Sequence, residues 1–305
     1  MGVLQARASR VLSPASGFLL FAQAAIVVTG GAVRLTGSGL GCPTWPECTD
    51  GSIGPVITQA EDQLHAWIEF GNRLIAWLIL ILALAALVYI SKRLRNRSDY
   101  KRLRLLAILQ ILGFLGQVVL GGITVLTKLN PISVSAHFVL TLPLIAGALA
   151  LRHRVLDRPV IQVLPMTRNL TKVVTTLTFI VLLFGVVVTG TGPHAGDEDV
   201  KRYPFNFRAV SWLHAESVIV LICLTIALYL VVKVSETPEV KKLFGRMILI
   251  FLSISLAQGA IGYLQYVTGL PALIVGAHLL GATLVWIHGW RLNLTARTEK
   301  EVEIK

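Results

Sequence analysis

Seven histidines stand in a chain of 305 residues, and His137, His214 and His278 fall inside long apolar runs. A polar group within a bilayer is costly and usually faces the bundle interior. Each of the three lies about four to six residues inside one end of its run, about 6–9 Å deep at the rise of an α-helix. His214 and His278 belong to the same half of the chain, on helices that run the same way. Facing each other, they can ligate one metal from opposite sides. Imidazole suits iron, and two axial histidines on neighbouring helices fit a heme held in a bundle. The blander reading is three separate hydrogen bonds across helices, and a depth-matched pair inside a repeat favours ligation over it. Zinc needs more nitrogen, sulfur or carboxylate ligands than the sequence offers nearby. Of the other histidines, His153 sits between Arg152 and Arg154 in solvent, His288 is interfacial, and His194 belongs to a Gly-Pro-His-Ala-Gly-Asp turn.

A carboxylate stands apart from these. His65, Glu69 and Asn72 are spaced by four and three and share one helix face. Arg73 is also four residues from Glu69, which leaves two readings of the acid. One is an intrahelical ion pair. The other is a carboxylate facing a pocket, beside an iron held by His137 with an open position. Glu216, two residues past His214, should point away from that histidine's face. Cys42 and Cys48 bracket five residues of a loop. On an oxidising side they can pair, and otherwise they are free thiols. Cys223 reads as a small apolar filler. Gly37, Gly39 and Gly41 lack the strand and helix of a phosphate loop. Gly116, Gly121, Gly122, Gly259 and Gly262 permit close helix approach.

The elements that must position these residues are eight apolar runs: 16–33, 66–90, 103–126, 132–151, 173–190, 210–232, 247–267 and 272–290. Each is about as long as a bilayer-spanning helix requires. Strands of a closed barrel would alternate over about ten residues, and these runs are continuous. Hydrophobic residues make up 54% of the chain and charged residues 14%, with a mean hydropathy of +0.72. That composition excludes a soluble enzyme, a disordered protein and a disulfide-stapled secreted domain. No cleavable signal peptide is evident around the first run.

The net charge of +12 raises nucleic-acid binding, which needs a basic face on a soluble fold. Its distribution says otherwise. With eight crossings, both termini share one side, and that side carries 22 of the 28 Lys and Arg and seven of the 16 acids. The two faces are then +15 and −3, which restores +12. The positive-inside rule makes the basic face, with both termini, cytoplasmic.

The halves repeat. Gln117 precedes His137 by twenty residues, and Gln258 precedes His278 by twenty. In that register Gly121 matches Gly262, Thr127 matches Thr268, Leu129 matches Leu270, Val134 matches Val275, and Ala136 matches Ala277. Val27-Val28-Thr29-Gly30 matches Val187-Val188-Thr189-Gly190, and Asn72 stands opposite His214. The expected fold is an all-α membrane protein whose eight transmembrane helices form two tandem pseudo-symmetric four-helix bundles, 1–152 and 153–305, with an outer loop over 34–65. Four spans per unit is an even number, so the units share topology about an axis along the membrane normal.

From about Phe18 to Trp290 the chain resembles the heme A synthase family. The resemblance rests on Gly30-Gly31-Ala32-Val33-Arg34-Leu35-Thr36-Gly37-Ser38-Gly39-Leu40-Gly41-Cys42-Pro43-Thr44-Trp45-Pro46, on Glu69-Phe70-Gly71-Asn72-Arg73, and on His137, His214 and His278. It implies oxidation of the C8 methyl of heme O, through a hydroxymethyl, to the formyl group of heme A, for terminal oxidases. It further implies a heme b in the C-terminal bundle with His214 and His278 as axial ligands. Substrate heme would lie in the N-terminal bundle, ligated by His137 with Asn72, Arg73 and His65 about it. Glu69 matches the catalytic glutamate and Cys42/Cys48 the outer-loop pair, expected as a disulfide. The chain departs from the family pattern at Asn72, where histidine is common, and in lacking a second cysteine pair. The implied setting is the plasma membrane, with the lipid bilayer, heme O synthase and an electron-transfer partner (quinone or a cytochrome) as partners, and no nucleic acid.

Two other functions fit part of the pattern. A heme b membrane cytochrome exchanging electrons with quinone would use the matched histidines but does not require the Glu69 segment. A repeat-built transporter would place polar residues and broken helices at mid-membrane, whereas here the polar residues gather toward the outer third.

Overall fold

The computed structural model describes residues 3–57, 59, 61–197, 199–299 and 301, with the backbone alone for residues 3–13. The side chains of Arg7 and Arg10, together with Glu198, Lys300, Glu303 and Lys305, all counted in the charge sums, lie outside the described residues. Eight helices follow one another: α1 (Val3–Leu35), α2 (Gln63–Arg93), α3 (Tyr100–Leu126), α4 (Pro131–Val155), α5 (Pro165–Thr191), α6 (Phe207–Ser235), α7 (Pro238–Val267) and α8 (Ala272–Thr295). All eight are long and apolar enough to cross a membrane. The chain is a multi-pass membrane protein. Helices extend past the apolar runs mainly at the basic end; α7 starts at Pro238, nine residues before the apolar run. Hydropathy marks the lipid-facing stretch, while helical hydrogen bonding continues into the polar interface.

Local chemistry sets the helix starts. Asp62 caps α2 by accepting from the N–H groups of Leu64 (2.8 Å) and His65 (3.2 Å). Asn130 caps α4 ahead of Pro131, Asn206 caps α6, and Thr237 caps α7 ahead of Pro238. Each supplies a side-chain oxygen to orphan N–H groups, and proline at the first helical position loses nothing by lacking a donor. The ends of α3 and α7 share a motif. Lys128 and Leu129 have φ of 49° and 56°; Gly269 and Leu270 have 78° and 65°. The Leu129 N–H donates to the Thr124 carbonyl (2.8 Å) and the Leu270 N–H to the Gln265 carbonyl (2.7 Å). Left-handed residues closing the last carbonyls form this type of helix stop, so the sequence register that pairs Leu129 with Leu270 is also a structural one.

The chain divides into two compact units, residues 1–158 with 189–204, and residues 159–188 with 205–305. In the first, each helix of α1–α4 packs on its chain neighbour and α4 closes back on α1. Its core is small and tight: Leu19, Ala83, Ala86, Ile90, Leu103, Ala107, Ala148 and Leu151 are buried. A buried amide chain crosses it, Gln23 donating to Gln110 (3.0 Å) and Gln110 to the Leu144 carbonyl (3.0 Å). Residues 189–204 belong to this unit: Arg34 donates to the Thr189 carbonyl (2.7 Å) and to that of His194. Tyr203 donates from its hydroxyl to the Pro131 carbonyl (3.0 Å).

In the second unit α6 packs on α7 and α7 on α8, around Leu228, Phe244, Ile248, Phe251 and Val285. Here α5 meets its neighbours through side chains: Thr175 donates to the Gly289 carbonyl of α8 (3.3 Å). At the basic end a short parallel pairing joins β1 (Ile161–Gln162) to β2 (Ala296–Arg297). Cys223 is exposed on α6 rather than filling a core; a weakly polar thiol is tolerated on an apolar helix surface. Glu216 is also exposed on α6, away from the face that carries the His214 ring.

Candidate heme site

In the second unit the rings of His214 and His278 stand 6.4 Å apart, centre to centre, with their planes at 82°. Two metal–imidazole bonds of about 2.0–2.1 Å, each extended by the roughly 1.1 Å from nitrogen to ring centre, separate two axial rings by about 6.3 Å. The observed spacing therefore fits one iron between them. His214 Nδ1 lies 3.1 Å from the Val181 carbonyl of α5, an arrangement that leaves Nε2 for a metal and fixes the ring. His278 Nδ1 is buried with no hydrogen-bond partner among the described residues. Its backbone is held from α7, where the Gln258 side chain donates to the His278 carbonyl at 2.5 Å. No group of three or more His, Cys, Asp and Glu capable of holding a metal ion occurs among the described residues. A macrocycle supplying its own equatorial ligands needs only the two histidines.

A glycine backs each of the three rings. A Cβ at Gly262 of α7 would stand 3.0 Å from His278 Cε1, one at Gly185 of α5 3.3 Å from His214 Cε1, and one at Gly121 of α3 3.4 Å from His137 Cε1. Gly121 and Gly262 thus do more than admit neighbouring helices. Gly185 was not singled out in the sequence. It lies 29 residues before its histidine, whereas Gly121 and Gly262 each lie sixteen before theirs, so the repeat offers no signal for it.

His137 stands six residues after the start of α4, as His278 does in α8, while His214 stands seven into α6. Among the described residues its Nδ1 is buried without a partner, and so are both polar side-chain atoms of Gln117, one turn before Gly121. Such groups are expensive to leave unpaired, and they fit a site that receives a polar ligand. Asn72 is engaged: its Oδ1 accepts from the Thr29 hydroxyl at 2.7 Å. Among the described residues no hydrogen bond or ring contact joins His137 to Asn72, Glu69 or His65.

Glu69 and Arg73 form the ion pair, at 2.7 Å with the Glu69 side chain 8% exposed. The pair also grips the loop. Cys42 N–H donates to Glu69 Oε2 (2.8 Å), and Arg73 donates to the carbonyls of Cys42 (3.2 Å), Thr44 (3.3 Å) and Glu47 (3.2 Å). Cys42 and Cys48 are disulfide-bonded and fully buried. Gly41 allows the approach, since a Cβ there would lie 2.6 Å from the His65 carbonyl oxygen. At the loop tip, Trp45 packs on Gly122, where a Cβ would stand 2.7 Å from the indole. Gly122 adjoins the glycine that backs His137. The ion pair therefore fixes a loop whose tip rests on α3 one residue from the glycine that backs His137. His65 contributes backbone to this junction, and its ring joins none of the hydrogen bonds of the clamp.

The family profile described as cytochrome oxidase assembly protein matches residues 16–196. Among curated proteins the chain is 34% identical over 112 residues to the heme A synthase of Geobacillus kaustophilus, covering 37% of this chain and 32% of that protein. It is 33% identical over 112 residues to that of Geobacillus thermodenitrificans, with the same coverage. With that of Exiguobacterium sibiricum it shares 28% over 151 residues, 49% of this chain and 48% of that one. The matches span about a third to a half of these relatives.

Proposed function

This chain belongs to the cytochrome oxidase assembly protein family, and from that membership we propose that it acts as a heme A synthase, oxidising the C8 methyl of heme O to a formyl group. The observation that carries the reading is the 6.4 Å facing of His214 and His278, in a chain whose relatives bear that name. In this reading the second bundle holds heme b on His214 and His278 Nε2, and that heme supplies one-electron transfer to or from a quinone or cytochrome. The first bundle takes heme O as substrate, with His137 Nε2 as its protein ligand. Asn72, already bonded to Thr29, shapes the pocket rather than ligating iron, so the substrate iron keeps one side open.

The remaining residues bind, orient and exclude water. Gln117 offers a buried amide to a polar group of the substrate. Trp45, held down by the disulfide loop, covers the pocket near His137. Glu69 keeps that loop in place through Cys42 N–H and Arg73, and its Oε2 accepts a proton released as the methyl is oxidised. His65 and Arg73 complete the mouth of the site. The setting is the plasma membrane with both termini cytoplasmic, and the substrate arrives from a heme O synthase.

Expression in a host that makes heme O but not heme A, followed by analysis of extracted hemes, tests the reading. The wild-type chain yields heme A, and Glu69→Gln lowers the yield by about 10²-fold, the scale of a lost acid–base group. An unchanged yield in Glu69→Gln removes the proton role, and no heme A from the wild type leaves a plain heme b cytochrome as the function.

A further inference from the structure

At the basic end of the second unit, Arg246, Met247 and Ile250 of α7 and His288, Arg291 and Leu292 of α8 line a cavity of about 270 Å³. Its lining is mixed, two guanidiniums and an imidazole with three apolar side chains. Elsewhere in the same unit, Arg168 and Lys172 pair with Glu301. Arg246 and Arg291 have no ion pair or hydrogen bond among the described residues, and both are exposed. His288 is turned by its Nδ1, 2.9 Å from the Leu284 carbonyl.

Depth matters as much as charge. Arg246 lies 21 residues before the end of α7 and Arg291 nineteen residues after the start of α8. At the helical rise these separations are about 31 Å and 28 Å, the thickness of the hydrocarbon core. Both residues therefore lie about one hydrocarbon thickness from the far ends of their helices, the depth expected of the headgroup boundary. Ile250 of the lining and Leu284, one turn before His288, are exposed apolar side chains on the same two helices.

We propose that this cavity is a binding site for the phosphate headgroup of an anionic phospholipid, with Arg246 and Arg291 on the phosphate and an acyl chain along Ile250 and Leu284. Guanidinium is suited to phosphate oxygens by its planar fork of donors. A basic pocket between membrane helices at headgroup depth takes anionic lipid in general. A soluble phosphate would satisfy the arginines but leave the apolar wall of Met247, Ile250 and Leu292 without a role.

The test uses the full chain purified in detergent and titrated with phosphatidylglycerol, phosphatidylcholine or inorganic phosphate, with bound lipid read by native mass spectrometry. Phosphatidylglycerol should bind the wild type at least about tenfold more tightly than phosphatidylcholine, and Arg246→Gln/Arg291→Gln should abolish that preference. Ile250→Trp fills the cavity while keeping both charges and should weaken phosphatidylglycerol equally, which preserves the test if the double variant does not fold. Lys241→Gln/Lys242→Gln removes two charges from the same end outside the cavity and should change nothing. Unaltered phosphatidylglycerol binding in the cavity variants overturns the site. Equal loss in the lysine control reduces it to general surface charge, and displacement of the lipid by low-millimolar inorganic phosphate makes it a soluble-anion site instead.

Discussion

His137, His214 and His278 each lie against a bare glycine, and the closeness differs in a way that can be tested. At Gly262 an added methyl would meet His278 Cε1 at 3.0 Å, whereas at Gly259, one turn earlier on α7, nothing lies within 4 Å. Overpacking by one carbon in a tight contact costs about 1–3 kcal/mol, and about 1.4 kcal/mol is tenfold in binding. Gly262→Ala should therefore lower heme affinity about tenfold and shift the low-spin absorption bands. Gly259→Ala should leave both as in the wild type and gain helix propensity. Heme per protein and the absorption spectrum of the two purified variants measure this; matching spectra would remove the backing role. The sequence made Gly121 and Gly262 visible because they repeat with His137 and His278. It could not choose between the readings of Glu69, because a spacing of four serves an ion pair and a pocket face alike. Nor could it show that the pair reaches Cys42, since that contact depends on how the loop folds back over α2.

Among the elements, the helices were legible almost throughout, because continuous apolar runs leave a bilayer chain few alternatives. Their basic ends were not, because polar turns extend α5 and α7 without any hydrophobic signal. One such end carries a clasp. Glu301 bonds the Thr298 N–H (3.1 Å), pairs with Arg168 (2.9 Å) and lies 3.3 Å from Lys172, while Arg168 also donates to Asn293 at the end of α8. Desolvation acts to raise the Glu301 pKa, and the bonds from Thr298, Arg168 and Lys172 together outweigh it, bringing it down to about 2. A carboxylate whose folded pKa lies below its unfolded one stabilises the fold above the ordinary carboxylate range. That contribution fades as pH falls from there toward 2. The clasp is partly exposed, so its worth is at most about 1 kcal/mol and falls with salt. Glu301→Gln should lower Tm by a few degrees at most at pH 7, with the gap to wild type closing as pH drops below about 4.5. A gap that persists unchanged to pH 3 would assign the effect to packing instead of charge.

At the scale of the whole molecule, the two bundles share a topology and a Gln–Gly–His register but differ in what they leave free. The second presents two histidines to one site. The first presents one histidine, occupies Asn72 with Thr29, and spends an ion pair and a disulfide on a covering loop. The repeat made the likeness legible from sequence, and the single change from His214 to its counterpart Asn72 made the asymmetry legible too. The division of work that follows is open to a paired experiment. His278→Ala removes one of the two histidines proposed as heme ligands in the second bundle and should abolish the low-spin heme signature of the purified protein, and heme A formation with it. His137→Ala leaves both His214 and His278 in place, so the low-spin signature should persist at wild-type intensity while heme A formation falls by at least about 10²-fold, through lost positioning of the substrate. If His137→Ala also erases the low-spin spectrum, the resident heme depends on the first bundle and the assignment of separate duties fails. If both variants retain heme A formation, neither histidine pair nor single ligand serves the reaction, and only the eight-helix frame survives from the functional argument. The two readouts are independent, since one counts resident heme and the other counts product.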